Sequence, residues 1–264
     1  MPAPVRVAYG DQPQQFADLH LPDGHDHEHD DHDHDLPVVV LIHGGFWRAN
    51  YGLDLMDPLA EDLSRTGYAV WNIEYRRVGQ PGGGWPGTLH DVAAAIDRLA
   101  DLARQHALDL DRVAFVGHSA GGHLALWSAG RAALPAASPG ADPRVVPVIA
   151  IGQGPVVDLR RGAQDLVGNG AVLDFLGGPL DAVPERYDNA TPRLSAGPRM
   201  VAVVGSKDDV VPPELSVDAA QPDTVEVITI DGADHMILIE PGREPWARVR
   251  ALLDEALRSR PRAG

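Results

Sequence analysis

Apolar residues along this chain come in two rhythms. Pro37-Val38-Val39-Val40-Leu41-Ile42 is an unbroken run, the mark of a strand buried on both faces. Val5 to Tyr9 and Gln15 to Leu21 instead alternate apolar with polar residues, which predicts a half-buried opening hairpin. Further strands are predicted at Tyr68 to Ile73, Arg112 to Gly117, Val145 to Ile151, Met200 to Val204 and Val225 to Ile230. Helical spacing fills Leu53 to Arg65 and Thr88 to Gln105, the second opened by Thr88 with Asp91 three residues on, a capping-box arrangement. Pro245 to Leu257 predicts a closing helix with proline in its first turn. Strands alternating with helices predict an α/β fold: a mostly parallel central sheet, helices on both faces, and an N-terminal antiparallel hairpin.

Between Gly152 and Pro198 the periodicity weakens and glycine and proline recur, as in Gly168-Asn169-Gly170 and Gly177-Gly178-Pro179. This stretch, 152–198, predicts an insertion over the C-terminal edge of the sheet, either a cap that shapes a pocket or an ordered connection. The remainder reads as one domain over 1–264. A second irregular segment, 23–35, interleaves five histidines with carboxylates. It has no apolar residue around which to hold three or four ligands at fixed geometry, so it predicts a solvated acidic loop with weak divalent-metal affinity and no catalytic metal.

Composition narrows the partners. The net charge of −16 repels nucleic acid and anionic membranes, which leaves a small-molecule substrate. No apolar run reaches the roughly 18 residues of a membrane span, and Met1-Pro2-Ala3-Pro4-Val5-Arg6 has no basic-then-apolar start. A soluble, cytoplasmic protein is expected. The absence of cysteine excludes disulfides.

The chemistry centres on Gly117-His118-Ser119-Ala120-Gly121-Gly122, directly after Val113-Ala114-Phe115-Val116 and before Leu124-Ala125-Leu126-Trp127. A G-x-S-x-G between strand and helix predicts a nucleophile elbow: the serine sits on a sharp turn that only flanking glycines allow, with the first helical N–H groups aimed at the reacting carbonyl. A serine needs a base to take its proton and an acid to orient that base. Asp208 and Asp209 follow one predicted strand and His235 follows the next, so both groups fall at the sheet edge of the elbow. For an oxyanion hole, the N–H groups of Ala120 and of Gly45 and Phe46 are the candidates, the last two from His43-Gly44-Gly45-Phe46-Trp47 after the first buried strand. His43 is expected to hold that loop, Trp47 and Trp85 are candidate substrate contacts, and Arg76 is expected to pair with a carboxylate.

His43-Gly44-Gly45-Phe46-Trp47, Glu74-Tyr75-Arg76-Arg77, the elbow with its His-Leu-Ala continuation, Ser195-Ala196-Gly197-Pro198 leading to Asp208-Asp209-Val210-Val211-Pro212, and Ala233-Asp234-His235 together resemble the α/β-hydrolases that include kynurenine formamidases and small carboxylesterases. The likeness runs from about Phe16 to Pro241. It implies the α/β-hydrolase fold and a cofactor-independent serine hydrolase acting on a small carboxylic ester or a formamide. It also implies Ser119, Asp208 and His235 as the triad, since the pattern of glycine, two residues, aspartate and then Val-Pro favours Asp208 over Asp209. Met236 and Ile237 stand where relatives tend to carry Phe and Asp. A dedicated arylformamidase is the nearest alternative. A catalytically silent binding module would bind no fluorophosphonate at Ser119, and a metal-handling protein would be indifferent to its loss. Titration calorimetry with Zn²⁺ is expected to show no tight stoichiometric site; tight binding that vanished on deleting 23–35 would reverse the reading of that loop.

Overall fold

The apolar runs become the strands of one eight-stranded sheet in the computed structural model, which describes residues 3–24, 35–194, 197–219 and 224–258. The strands are β1 Val5–Ala8, β2 Phe16–His20, β3 Leu36–Ile42, β4 Ala69–Ile73, β5 Leu108–His118, β6 Ile149–Gln153, β7 Arg199–Gly205 and β8 Glu226–Ile230. Their spatial order is β1-β2-β4-β3-β5-β6-β7-β8. β1 pairs antiparallel with β2, and β2 with β4, while every pairing from β4 onward is parallel. This is the α/β-hydrolase arrangement with its N-terminal antiparallel hairpin.

Burial explains the two rhythms. On β3, Val38, Val40 and Ile42 enter one core with Phe115, Trp71 and helices α2 (Gly87–Asp97) and α4 (Ala120–Ala129). Val39 and Leu41 enter the other, against α1 (Asp57–Ser64) and α9 (Glu244–Arg258). A central strand covered on both sides tolerates no polar position, hence the unbroken run. β1, at the sheet edge, is mostly exposed.

Several boundaries differ from the sequence reading. Leu53 to Arg65 divides into a 3-10 turn, Leu53–Met56, and α1. The stretch from Val145 to Val148 stays outside β6. The predicted helix from Thr88 starts at Gly87 and breaks into α2 and a short α3 (Leu99–Leu102). Its capping box does not form. Thr88 Oγ1 donates to the Arg76 carbonyl at 2.5 Å, and Asp91 takes the Arg76 guanidinium at 2.7 and 2.8 Å, the Arg76 N–H at 2.9 Å and Gln15 Nε2 at 2.7 Å. Both side chains fasten the loop after β4 instead of the helix end, and Arg76 has the carboxylate partner expected of it.

The segment 152–198 is more regular than its composition suggested. It holds α5 (Leu159–Gln164), α6 (Val167–Leu176) and α7 (Pro184–Ala190). Glycines disguise these helices: Leu166, Gly168, Asn169 and Gly170 are left-handed, at φ of 51°, 60°, 54° and 79°, so no helical period runs through. Most of the histidine-rich loop, residues 25–34, lies outside the described residues. No helix among the described residues is long and apolar enough to cross a membrane.

Asp91 gives a test of what holds the β4 loop. Its side chain is 1% exposed and pairs with Arg76 at 18%. Asp91→Ala is expected to cost about 3–5 kcal/mol in urea unfolding, the cost of stranding one member of a buried pair. A loss near the ~1 kcal/mol of a missing helix cap would favour the capping role after all.

Candidate active site

Six parallel strands end at one edge of the sheet, and the residues that follow them meet there. Ser119 is the junction between β5 and α4, at φ 57° and ψ −121°, a region that a residue with a Cβ enters only under constraint. The constraint is visible: the Ser119 N–H donates to the Gln153 carbonyl at 2.8 Å, and the His123 N–H to the Ser119 carbonyl at 3.0 Å. The flanking glycines are sterically required, since a Cβ on Gly117 would strike the Gly121 carbonyl, and one on Gly121 the carbonyls of Ile42 and His43. Ala120 opens α4, so its N–H is one of the helical donors without an intrahelical acceptor.

Asp208 and His235 follow β7 and β8. His235 Nδ1 lies 2.6 Å from Asp208 Oδ2, and the two side chains are 6% and 1% exposed. The other carboxylate oxygen, Oδ1, accepts the N–H groups of Val210 and Val211 at 3.0 and 2.8 Å. The acid is therefore fixed from behind by its own turn, with one oxygen left for the imidazole. Asp209 is exposed. Because a carboxylate only accepts, Nδ1 is the donor in this bond. Gly154, at φ 56°, backs the pair: a Cβ there would stand 3.1 Å from both Asp208 Oδ2 and His235 Nδ1. His118, beside Ser119, bonds the His235 carbonyl through Nε2 at 3.0 Å, and the two rings lie 4.5 Å apart. That contact ties His235 to the elbow.

The loop after β3 lies across the elbow. Gly45, Phe46 and Trp47 all take positive φ, at 112°, 54° and 54°, and a Cβ on Gly44 would come within 3.0 Å of Ser119 Cβ. His43 holds the loop, as expected: Nε2 lies 3.0 Å from Glu74 Oε1, its ring stacks on Tyr75 at 4.3 Å, and Tyr75 Oη donates to its carbonyl at 2.8 Å. Trp47 is fully buried, stacked on Phe175 of α6 at 4.8 Å and edge-on to His123 at 5.2 Å. It packs between this loop, α4 and α6. Trp85 is half-buried, its N–H on the Phe175 carbonyl at 2.8 Å. Arg48 completes the attachment, donating to the carbonyls of Gly168 and Asn169 at 2.8 and 3.1 Å and to Asp174 at 2.6 Å. The segment 152–198 is thus bolted to the loop that bears Gly45 and Phe46.

Two buried residues at this edge have no obvious signal in the sequence. Glu74, 6% exposed, receives His43, the N–H groups of Leu53 and Tyr75, and Arg77 at 3.1 Å. Burial alone would raise its carboxyl, but the hydrogen bond and field of His43, with Arg77 and the Tyr75 N–H, hold it below its ordinary value. Gln153 joins the elbow to the base loop, since its carbonyl takes Ser119 N–H and its amide donates to the Leu238 carbonyl. The Glu-Tyr-Arg-Arg stretch flagged Glu74 only as part of a pattern; Gln153 looked like any strand end. No cluster of three or more metal-ligating side chains occurs among the described residues.

With this geometry in hand, the chain can be compared with known proteins. The family model described as BD-FAE matches residues 27–221, well over half of the chain. Among curated proteins the chain is similar to a probable isoprenylcysteine alpha-carbonyl methylesterase of Arabidopsis thaliana, 30% identical over 119 residues, 45% of this chain and 23% of that protein. It is also similar to carboxylesterase NlhH of Mycobacterium tuberculosis, 37% identical over 90 residues, 34% of this chain and 27% of that one. The matched segment spans about a quarter of the length of either relative. Esterase LipC of the same bacterium is 29% identical over 284 residues, 97% of this chain and 66% of its own. Among solved structures, esterase 2 of the planctomycete Thermogutta terrifontis with butyrate bound superposes with a TM-score of 0.72 at 21% identity, covering 96% and 93% of the two chains. A truncated carbohydrate esterase from gut microbiota gives 0.76 at 18%, covering 96% and 95%. At such identities the structures show a shared fold.

The Glu74 network sets a pH signature. A carboxyl held below its ordinary value contributes stability that is present above the unfolded value and lost as the pH falls through the folded one. The stability gap between wild type and Glu74→Gln is therefore expected to be widest at neutral pH and to narrow below the ordinary value of 4.5, as followed by denaturant midpoints across pH 3 to about 7. A gap independent of pH would mean that the charge on Glu74 is not what His43 and Arg77 recognise.

Proposed function

Because the chain belongs to the BD-FAE family, an α/β-hydrolase esterase family, we propose that it cleaves small carboxylic esters or N-formyl amides through an acyl-enzyme on Ser119. The observation that carries this reading is the buried Asp208–His235 pair, 2.6 Å apart and tied to the strained Ser119 turn through His118. A carboxylate that fixes the histidine tautomer is what a serine nucleophile requires.

In this scheme Ser119 Oγ attacks the acyl carbon while His235 Nε2 takes its proton. The resulting imidazolium is stabilised by Asp208, and the alkoxide by the N–H groups of Gly45, Phe46 and Ala120. Collapse breaks the bond to the leaving alcohol or amine, which receives the proton from His235. A water then repeats the sequence on the acyl-enzyme, giving the carboxylic acid and restoring Ser119. Residues 152–198 act as a cap in this reading, with Trp85 and the exposed Tyr51 and Met236 as candidate substrate contacts. The support for the cap is its attachment to the Gly45–Phe46 loop through Arg48 and Trp47. No cofactor enters any step.

The reading is tested by kcat/KM on p-nitrophenyl acetate and butyrate beside N-formylkynurenine, with Ser119→Ala as the blank. Ester hydrolysis well above formamide hydrolysis is expected; the reverse ranking would make the protein an arylformamidase. Asp208→Asn is expected to lower kcat by about 10⁴, as loss of the orienting carboxylate does elsewhere, whereas Asp209→Asn changes it little. Activity that survives Ser119→Ala would overturn the mechanism.

A further inference from the structure

His118 has no part in the scheme above, yet it is the side chain that touches the base from the nucleophile's own strand. Its Nε2 lies 3.0 Å from the His235 carbonyl. A carbonyl only accepts, so the proton sits on Nε2 and Nδ1 is bare; Nδ1 is buried and makes no hydrogen bond to the described residues. The two rings, tilted by 43°, have centroids 4.5 Å apart. β5 and β8 are separated in the sheet by β6 and β7, and besides the tie through Gln153 to the Leu238 carbonyl this bond is the one that runs from the residue next to Ser119 to His235 itself.

We propose that His118 is a positioning residue: it anchors the backbone of His235 to the elbow and thereby sets the placement of the base against Ser119. The bond acts on the main chain of His235, while Asp208 acts on its ring, so the two constrain different motions. The ring is also electrostatically suited to its place. Burial, with the charge of His235 adding to it, pushes His118 down to about 3, so it stays neutral when the imidazolium forms on its neighbour. Besides Asp208 and His118, no ionisable side chain among the described residues contacts the His235 imidazole in a hydrogen bond, ion pair or ring contact. A permanently cationic side chain at position 118 would oppose the proton transfer that the site exists to perform.

The inference rests on the serine-hydrolase reading, and the test separates the two. His118→Phe keeps an aromatic ring beside His235 and removes the donor; His118→Gln keeps an N–H that can reach the carbonyl. Both are compared with wild type by kcat and KM on p-nitrophenyl butyrate, by the rate of fluorophosphonate labelling of Ser119, and by Tm. His118→Phe is expected to lose up to about a hundredfold in kcat, the scale of a misplaced reacting group, with KM nearly unchanged and labelling slowed in parallel. His118→Gln is expected to recover most of both. Unchanged kcat and labelling in His118→Phe would overturn the inference, as would equal losses in both variants that simply follow a lowered Tm. Wild type that neither labels nor hydrolyses would overturn the underlying reading as well.

Discussion

Everything at the sheet edge depends on one unfavourable backbone conformation, the left-handed turn at Ser119. Holding a residue with a Cβ at φ 57° and ψ −121° costs on the order of 1–3 kcal/mol, and the turn survives because its surroundings leave no alternative. β5 is buried between β3 and β6 and fixes the entry. α4, buried along its whole length, fixes the exit. The Gln153 carbonyl captures the one N–H that the turn would otherwise strand. Relaxing Ser119 would require moving either the buried C-terminal end of β5 or the buried helix α4.

The same device recurs around the site. Phe46, Trp47, Leu166 and Asn169 are also left-handed without being glycine, and all four lie in the two segments that face each other above the elbow. Three of them are held by contacts to the opposite segment: Trp47 by Phe175, Asn169 by Arg48, and Phe46 by Gly168, where any side chain would collide with its ring. The loop that presents Gly45 and Phe46 is therefore conditioned by a piece of chain more than a hundred residues away, and the surface ion pair of Arg48 with Asp174 matters less for its own energy, small at such exposure, than for the carbonyls that Arg48 gathers with it.

This reciprocity explains what the sequence made legible. Covalent neighbourhood was enough for the unbroken run in β3 and the glycines around Ser119, because each is imposed by local sterics or by burial on both faces. Where a partner is distant, local rules misled. Thr88 and Asp91 have capping-box spacing, but Arg76 and Gln15 are stronger partners for a buried aspartate than the end of a helix. Trp47, suggestive beside an oxyanion loop, is occupied by Phe175. The helices of the insertion were hidden because glycine was needed for left-handed turns between them, and Glu74 and Gln153 were invisible because their bonding reaches across strands.

The division of labour between side chain and main chain also follows from the sheet edge. Asp208 spends one oxygen on its own turn, Gln153 gives its carbonyl to the elbow and its amide to the base loop, and His118 reaches a carbonyl of the base. Asp208 braces its own turn, while the side chains of Gln153 and His118 bind the backbone of the loop that carries His235, so the three residues are held by how the strand ends are cross-tied. Side chains that point outward, such as Tyr51, Leu166, Val210 and Met236, are exposed and take no part in those ties. Ser119, Asp208 and His235 thus sit at positions where a substitution disturbs several loops at once, and the outward side chains do not.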